Sequence, residues 1–168
     1  MIVGPPDSME TVNQPKADLA ALFIEAVTGS IGEMTRTDPV AREVIQANFD
    51  RTLGEVWALV GSLPGSPDCL ALSLPVKTAR GMAERVFTDV REPIDDGMIL
   101  DCIGELANVL AGQAKSLLAN SPYHFSLSLP KVMRSGDSRV SLHLGHHCLR
   151  IIFDSEVGEF ALQIIAEA

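Results

Sequence analysis

The sequence predicts an α+β fold: a two-layer domain in which an antiparallel-rich sheet is covered on one face by two long helices. Three observations lead there. Ala17 to Met34 and Asp96 to Ala119 both repeat apolar residues at helical spacing. Strand-like runs come in groups after each helical stretch, rather than alternating singly with helices. The strands are joined by short connections, which make hairpins, whereas parallel strands need long crossovers.

The elements follow in order. Residues 1–15 hold Pro5, Pro6 and Pro15 and little apolar pattern, which predicts a flexible N-terminal arm before a domain spanning 16–168. In the first helix Ala20, Leu22, Phe23, Ala26, Val27 and Ile31 form the stripe, and Asp38-Pro39 breaks it. Val40 to Phe49 fits either a helix or a strand. Gly54 to Leu63 and Cys69 to Leu74 read as strands around the turn Pro64-Gly65-Ser66-Pro67, with Pro75 closing the second. Thr78 to Phe87 reads as a short helix, ended by Arg91-Glu92-Pro93. Asp95 or Asp96 can cap the long helix that follows. The last third is strand-rich: His124 to Leu129, Val140 to Leu144, Cys148 to Phe153 and Phe160 to Ile165, with turns at Ser135 to Ser138, Gly145 to His147 and Glu156 to Glu159. Leu-Ser-Leu-Pro occurs at both Leu72 to Pro75 and Leu127 to Pro130, but the flanks differ and no repeat is inferred.

Composition narrows the function. A chain of 168 residues is one ordinary domain, and 46% hydrophobic content is enough for a real core. The net charge of −9 and pI near 4.8 argue against nucleic acid and anionic membranes, which need a basic face. They suit solubility, or a partner that presents a lysine or arginine. Cys69, Cys102 and Cys148 lie in apolar runs, where a free thiol packs as a small hydrophobe. The start of the chain lacks the charge and apolar pattern of a signal peptide, and no run reaches a membrane span. The expected location is the cytoplasm.

The most telling segment is Gly104-Glu105-Leu106-Ala107-Asn108, followed by Gly112 and Lys115. At about 100° per residue, Ile99, Ile103, Leu106, Leu110 and Leu117 share one face. Asp101, Glu105, Asn108, Gly112 and Lys115 form a narrow polar stripe opposite. A helix this apolar is mostly buried, so the stripe is where it meets water or a partner. Asn competes for the backbone and is a mediocre helix former, so its place in mid-helix calls for a reason. Gly104 and Gly112 allow close approach by a neighbour or partner.

These residues resemble the signature helix of the CheX class within the CheC/CheX/FliY chemotaxis phosphatases. The likeness runs from Ile103 through Lys115. It continues in Phe125-Ser126-Leu127-Ser128-Leu129-Pro130 and from Phe153 to Phe160, with Phe23 to Val27 resembling the family's opening helix. The resemblance implies a CheC/CheX-like α+β domain that removes phosphate from the phosphoaspartate of a CheY-like response-regulator receiver. It implies that Glu105 holds the receiver's lysine and that Asn108 orients the attacking water. It also implies that magnesium belongs to the receiver, with no cofactor bound by this chain, and that the protein is a homodimer. CheC-type members carry a second Glu/Asn pair on the first helix. Here Thr28 stands three residues after Glu25 and Arg36 three after Glu33, leaving a single site, as in CheX.

The residue chemistry agrees with that role. An acyl phosphate is already reactive, so catalysis is mainly positioning and charge stabilisation. A neutral carboxamide can hold a water beside a phosphoryl group that a carboxylate would repel. Spacing of i, i+3 sets Glu105 and Asn108 on one ridge. Asp101 and Lys115 read as solvated or helix-orienting residues. His143, His146, His147 and Cys148 resemble a metal cluster only on paper, because a hairpin turn would point some of them apart. Two other function classes stay open: a non-catalytic module of the same fold that binds a receiver or a flagellar-switch component, and a metal-dependent sensor built on the histidines.

Overall fold

The computed structural model describes residues 14–61, 68–123, 128–134, 136–141 and 143–165. The arm expected over 1–15 lies outside them up to residue 13, as does the turn at Pro64 to Pro67. Helix α1 (Gln14–Val27) opens the described chain, three residues ahead of the expected Ala17. It widens into a π turn (Thr28–Gly32) and closes as α2 (Glu33–Thr35). Arg36 ends it in the left-handed region at φ 54°. The remaining elements are β1 (Val40–Asn48), β2 (Val56–Gly61), β3 (Cys69–Leu74), α3 (Val76–Val86), α4 (Asp96–Leu118), β4 (Lys131–Arg134), α5 (Ser138–Ser141), β5 (His147–Asp154) and β6 (Phe160–Ile165).

The six strands form one sheet in the order β1-β5-β6-β3-β2-β4, and every neighbouring pair is antiparallel. Pairing resolves the ambiguous Val40 segment as a strand: it lies along β5 from Val40↔Asp154 to Asn48↔His147, with a bulge between Ala41 and Glu43. The hairpin from β5 to β6 turns at Gly158 (φ +129°), where Ser155 and Gly158 exchange backbone hydrogen bonds of 3.1 Å. A side chain at Gly158 would collide with the Thr78 hydroxyl, which itself donates to the Glu159 carbonyl at 2.9 Å. Phe153 and Phe160 face each other across this hairpin with stacked rings 5.0 Å apart.

The main core lies between the sheet and helices α1, α3 and α4. Val56, Ala58 and Val60 of β2, Leu70, Leu72 and Leu74 of β3, and Ile151 and Phe153 of β5 point into it. The opposite face is covered as well, which the sequence did not suggest. Phe49, Trp57, Leu59, Ala71, Met133 and Val140 belong to a second, smaller core. The segment after β1 folds over that face. Trp57 packs 5.8 Å from the Phe49 ring and donates its indole N–H to the Gly54 carbonyl. Gln163 of β6 receives the Asp50 N–H at 3.1 Å and donates to the Asp50 carbonyl at 2.8 Å. Arg150 of β5 pairs with the Asp50 carboxylate at 2.9 Å. Both faces of β2 and β3 are therefore buried, and their alternation carries no surface.

Two expectations are corrected. The strand expected over Val140 to Leu144 is absent from its described residues: Ser138–Ser141 is a helical turn, begun by Asp137 accepting from the Arg139 N–H at 2.9 Å, and His143 and Leu144 lie in a turn. That local hydrogen bond competes with the extended backbone that the apolar alternation suggests. The histidines that follow therefore flank no hairpin. The strand expected over His124 to Leu129 falls partly outside the described residues, and Ser128 to Pro130 is irregular. The described strand starts only after Pro130, whose missing N–H limits pairing.

Candidate functional site

Helix α4 (Asp96–Leu118) carries the site. Asp95 caps it by accepting from the Met98 N–H at 2.8 Å. Asp96 in the first turn binds Arg134 of β4 at 3.1 Å and lies 3.9 Å from Arg80 of α3, which also donates to the Ile94 carbonyl. These contacts tie the start of the helix to its neighbours on both sides. Ile99, Cys102, Ile103, Leu106, Ala107, Leu110, Ala111, Ala114 and Leu118 are buried and anchor one side of the helix. Leu117, expected among them, is half-buried. Asp101, Glu105, Asn108, Gly112 and Lys115 are all exposed, which is the ridge the helical period predicts.

The ridge borders an open groove of about 700 Å³. Leu100, Asp101, Gly104, Glu105 and Asn108 of α4 line it together with Val132 of β4 and Leu129-Pro130 before that strand. Gly104 brings strand and helix together: a Cβ there would lie 3.2 Å from the Val132 methyl. Gly112 has open space around it and makes no such approach. Among the described residues, Asp101, Glu105 and Asn108 have no hydrogen-bonding or ion-pair partner. Each side chain is thus free to engage something brought to the groove. Lys115 lies further along the helix, outside the groove lining.

The neighbouring thiol is not a nucleophile. Burial, and secondarily the Glu105 carboxylate, push Cys102 up to about 11, so it stays protonated. Burial likewise raises Cys69 to about 12 and Cys148 to about 11. Among the described residues no group of three or more His, Cys, Asp or Glu side chains is arranged to hold a metal ion. No described helix is long and apolar enough to cross a membrane. The ridge follows from the helical period, whereas Leu129-Pro130, just before β4, has no such signal. Leu129-Pro130 stood in the motif that carried the family resemblance, yet nothing in the sequence linked it to the helix.

The architecture is that of chemotaxis proteins. A CheX from Desulfovibrio desulfuricans superposes with a TM-score of 0.68 at 20% identity, covering 89% of this chain and 99% of that one. A CheX from Vibrio vulnificus gives 0.70 at 17% identity, covering 89% and 99%. The CheX of a CheX–CheY–BeF3–magnesium complex from Borrelia burgdorferi gives 0.66 at 19% identity, covering 89% and 97%. No curated protein matches the sequence. The family profile of the chemotaxis phosphatase CheX matches residues 58–154, more than half of the chain. The protein belongs to the CheX family.

Proposed function

We propose that this protein hydrolyses the phosphoaspartate of a CheY-like receiver, with Glu105 and Asn108 as the residues that meet it. The observation carrying this reading is the exposed ridge of α4, where both side chains lie beside an open groove with no intramolecular partner among the described residues. Family membership and the receiver bound by the Borrelia CheX support the same partner.

In this reading Glu105 pairs with the receiver's lysine, a charge-assisted contact that sets the docking register. Asn108, one turn on, enters the receiver's site. Its carboxamide oxygen accepts a hydrogen bond from a water and aims that water at phosphorus. The P–O bond to the aspartyl carboxylate breaks as the water oxygen bonds to phosphorus, releasing inorganic phosphate and regenerating the aspartate. Magnesium, held by the receiver, neutralises charge on the phosphoryl oxygens. The contribution of this chain is positioning, which is worth much in phosphoryl transfer because the acyl phosphate needs little further activation.

The experiment is phosphate release from receiver proteins of the same organism, phosphorylated with acetyl phosphate and magnesium, with and without the chain. Accelerated release from at least one receiver is expected. Binding without acceleration would convert the assignment to a non-catalytic interaction module, and the absence of both would remove the receiver as partner.

A further inference from the structure

Four large apolar side chains are exposed among the described residues: Val40, Val90, Leu129 and Leu144. Leu129 is the most open of them, at 79%, and it alone lines the groove beside Glu105 and Asn108. Pro130 follows it and fixes the local backbone, so the leucine is presented from a stiff segment. Asp101 lies one helical turn before Glu105 on the same ridge, with no ion-pair partner among the described residues. Glu105 needs only one cation. A second unpaired carboxylate in the same groove, which Leu129 also lines, provides a further contact of different character.

We propose that Leu129 and Asp101 select the receiver: Leu129 buries against an apolar side chain on the receiver's active-site face, and Asp101 binds a basic group beside it. This rests on the receiver reading above and deepens it. The occupant follows from complementarity. The groove pairs negative charge with exposed apolar surface, so a matching face carries a cation next to an aliphatic or aromatic side chain. Receivers lacking that pair meet an unburied leucine and an uncompensated carboxylate, and bind less well. Neither residue reaches the reacting atoms in this arrangement, so both act on affinity rather than on the chemical step.

The test measures Kd for receivers of the same organism held in the active form with beryllium fluoride and magnesium, alongside turnover of the phosphorylated forms. Leu129→Ala is expected to weaken binding about tenfold, corresponding to about 1.4 kcal/mol. Its kcat should stay unchanged, and Leu129→Met should restore the affinity. Leu144→Ala, an exposed leucine outside the groove, serves as control and should change nothing. Asp101→Asn should weaken binding about threefold to tenfold at low salt and flatten its salt dependence. Matching melting temperatures show that the variants fold. If either Leu129→Ala or Asp101→Asn leaves Kd unchanged, the proposal is overturned. Binding that responds to these variants while no receiver is dephosphorylated would uphold the docking contacts and defeat the hydrolysis. A chain that binds no receiver overturns both.

Discussion

Replacing Asn108 by alanine separates folding from catalysis. The side chain is exposed and makes no hydrogen bond among the described residues, so its removal costs the folded state no contact. Alanine is the better helix former, by roughly 0.5 kcal/mol in a helix interior. In a domain of this size that raises Tm by about 1–2 °C. The neighbours that hold the helix, Leu106, Ala107, Leu110 and Ala111, stay buried and untouched. The expected loss is confined to turnover. If Asn108 positions the attacking water, losing it should lower kcat by on the order of 100-fold, or about 2.7 kcal/mol in the barrier. Binding of the receiver should hardly change. Glu105→Ala should show the converse, a raised KM with a smaller effect on kcat, because it removes a contact to the partner's cation. The assay is initial-rate phosphate release at saturating and subsaturating receiver, with thermal melting on the same samples. A folded Asn108→Ala protein with full kcat would refute the water-positioning reasoning, whatever the fold.

Three further outcomes are expected. Gly158→Ala should destabilise the protein by on the order of 3 kcal/mol, read by chemical denaturation, since φ is +129° there and the new methyl meets the Thr78 hydroxyl. Lowering the pH should weaken the packing of His143, whose ring lies 5.7 Å from that of Phe49 in the second core. Burial, and secondarily His146, lower the His143 pKa below its ordinary 6.5, so the unfolded chain takes up the proton first. Stability is then full above about pH 6.5 and falls as the pH drops below it, with a shallower fall in His143→Phe when denaturation midpoints are compared. Sedimentation should show a homodimer at tens of micromolar protein; β1 and β4 are the edge strands of the described sheet, and a monomer at that concentration would count against the expectation.

Much of the main layer could be read from the sequence because its elements carry clean periods. Cys69–Leu74 and Phe160–Ile165 were delimited to the residue, each bounded by a proline or a glycine turn. The phase of α4 was legible for the same reason, since a long helix repeats its signal over six turns and the polar ridge stood out against it; its cap was narrowed only to Asp95 or Asp96. The second core was not legible. It is assembled by Phe49, Trp57 and Val140 from a loop, a strand and a four-residue helix, so no periodic pattern announces it. Its polar stitches, Gln163 and Arg150, sit in strands as isolated polar residues that look like ordinary outward positions. Within the site, the helix ridge followed from sequence. The lining at Leu129-Pro130 did not, since the close approach depends on Gly104 receiving Val132 from a strand nearly thirty residues later.

The π turn in the opening helix bears on how this chain should be aligned with others. Over Thr28–Gly32 the backbone accommodates one residue more than an α-helix would, which is how a single insertion is absorbed without breaking the rod. Glu25 and Glu33 lie on opposite sides of it. Fixed-spacing motifs counted across that turn go out of phase by one position, and an alignment without a gap there would mispair every residue from Glu33 to Arg36. The expectation of a single Glu/Asn pair does not depend on that register, because Gln14 to Arg36 contains no asparagine. Comparison of opening helices between chains with and without the extra residue should therefore be made by structure first and by letters second.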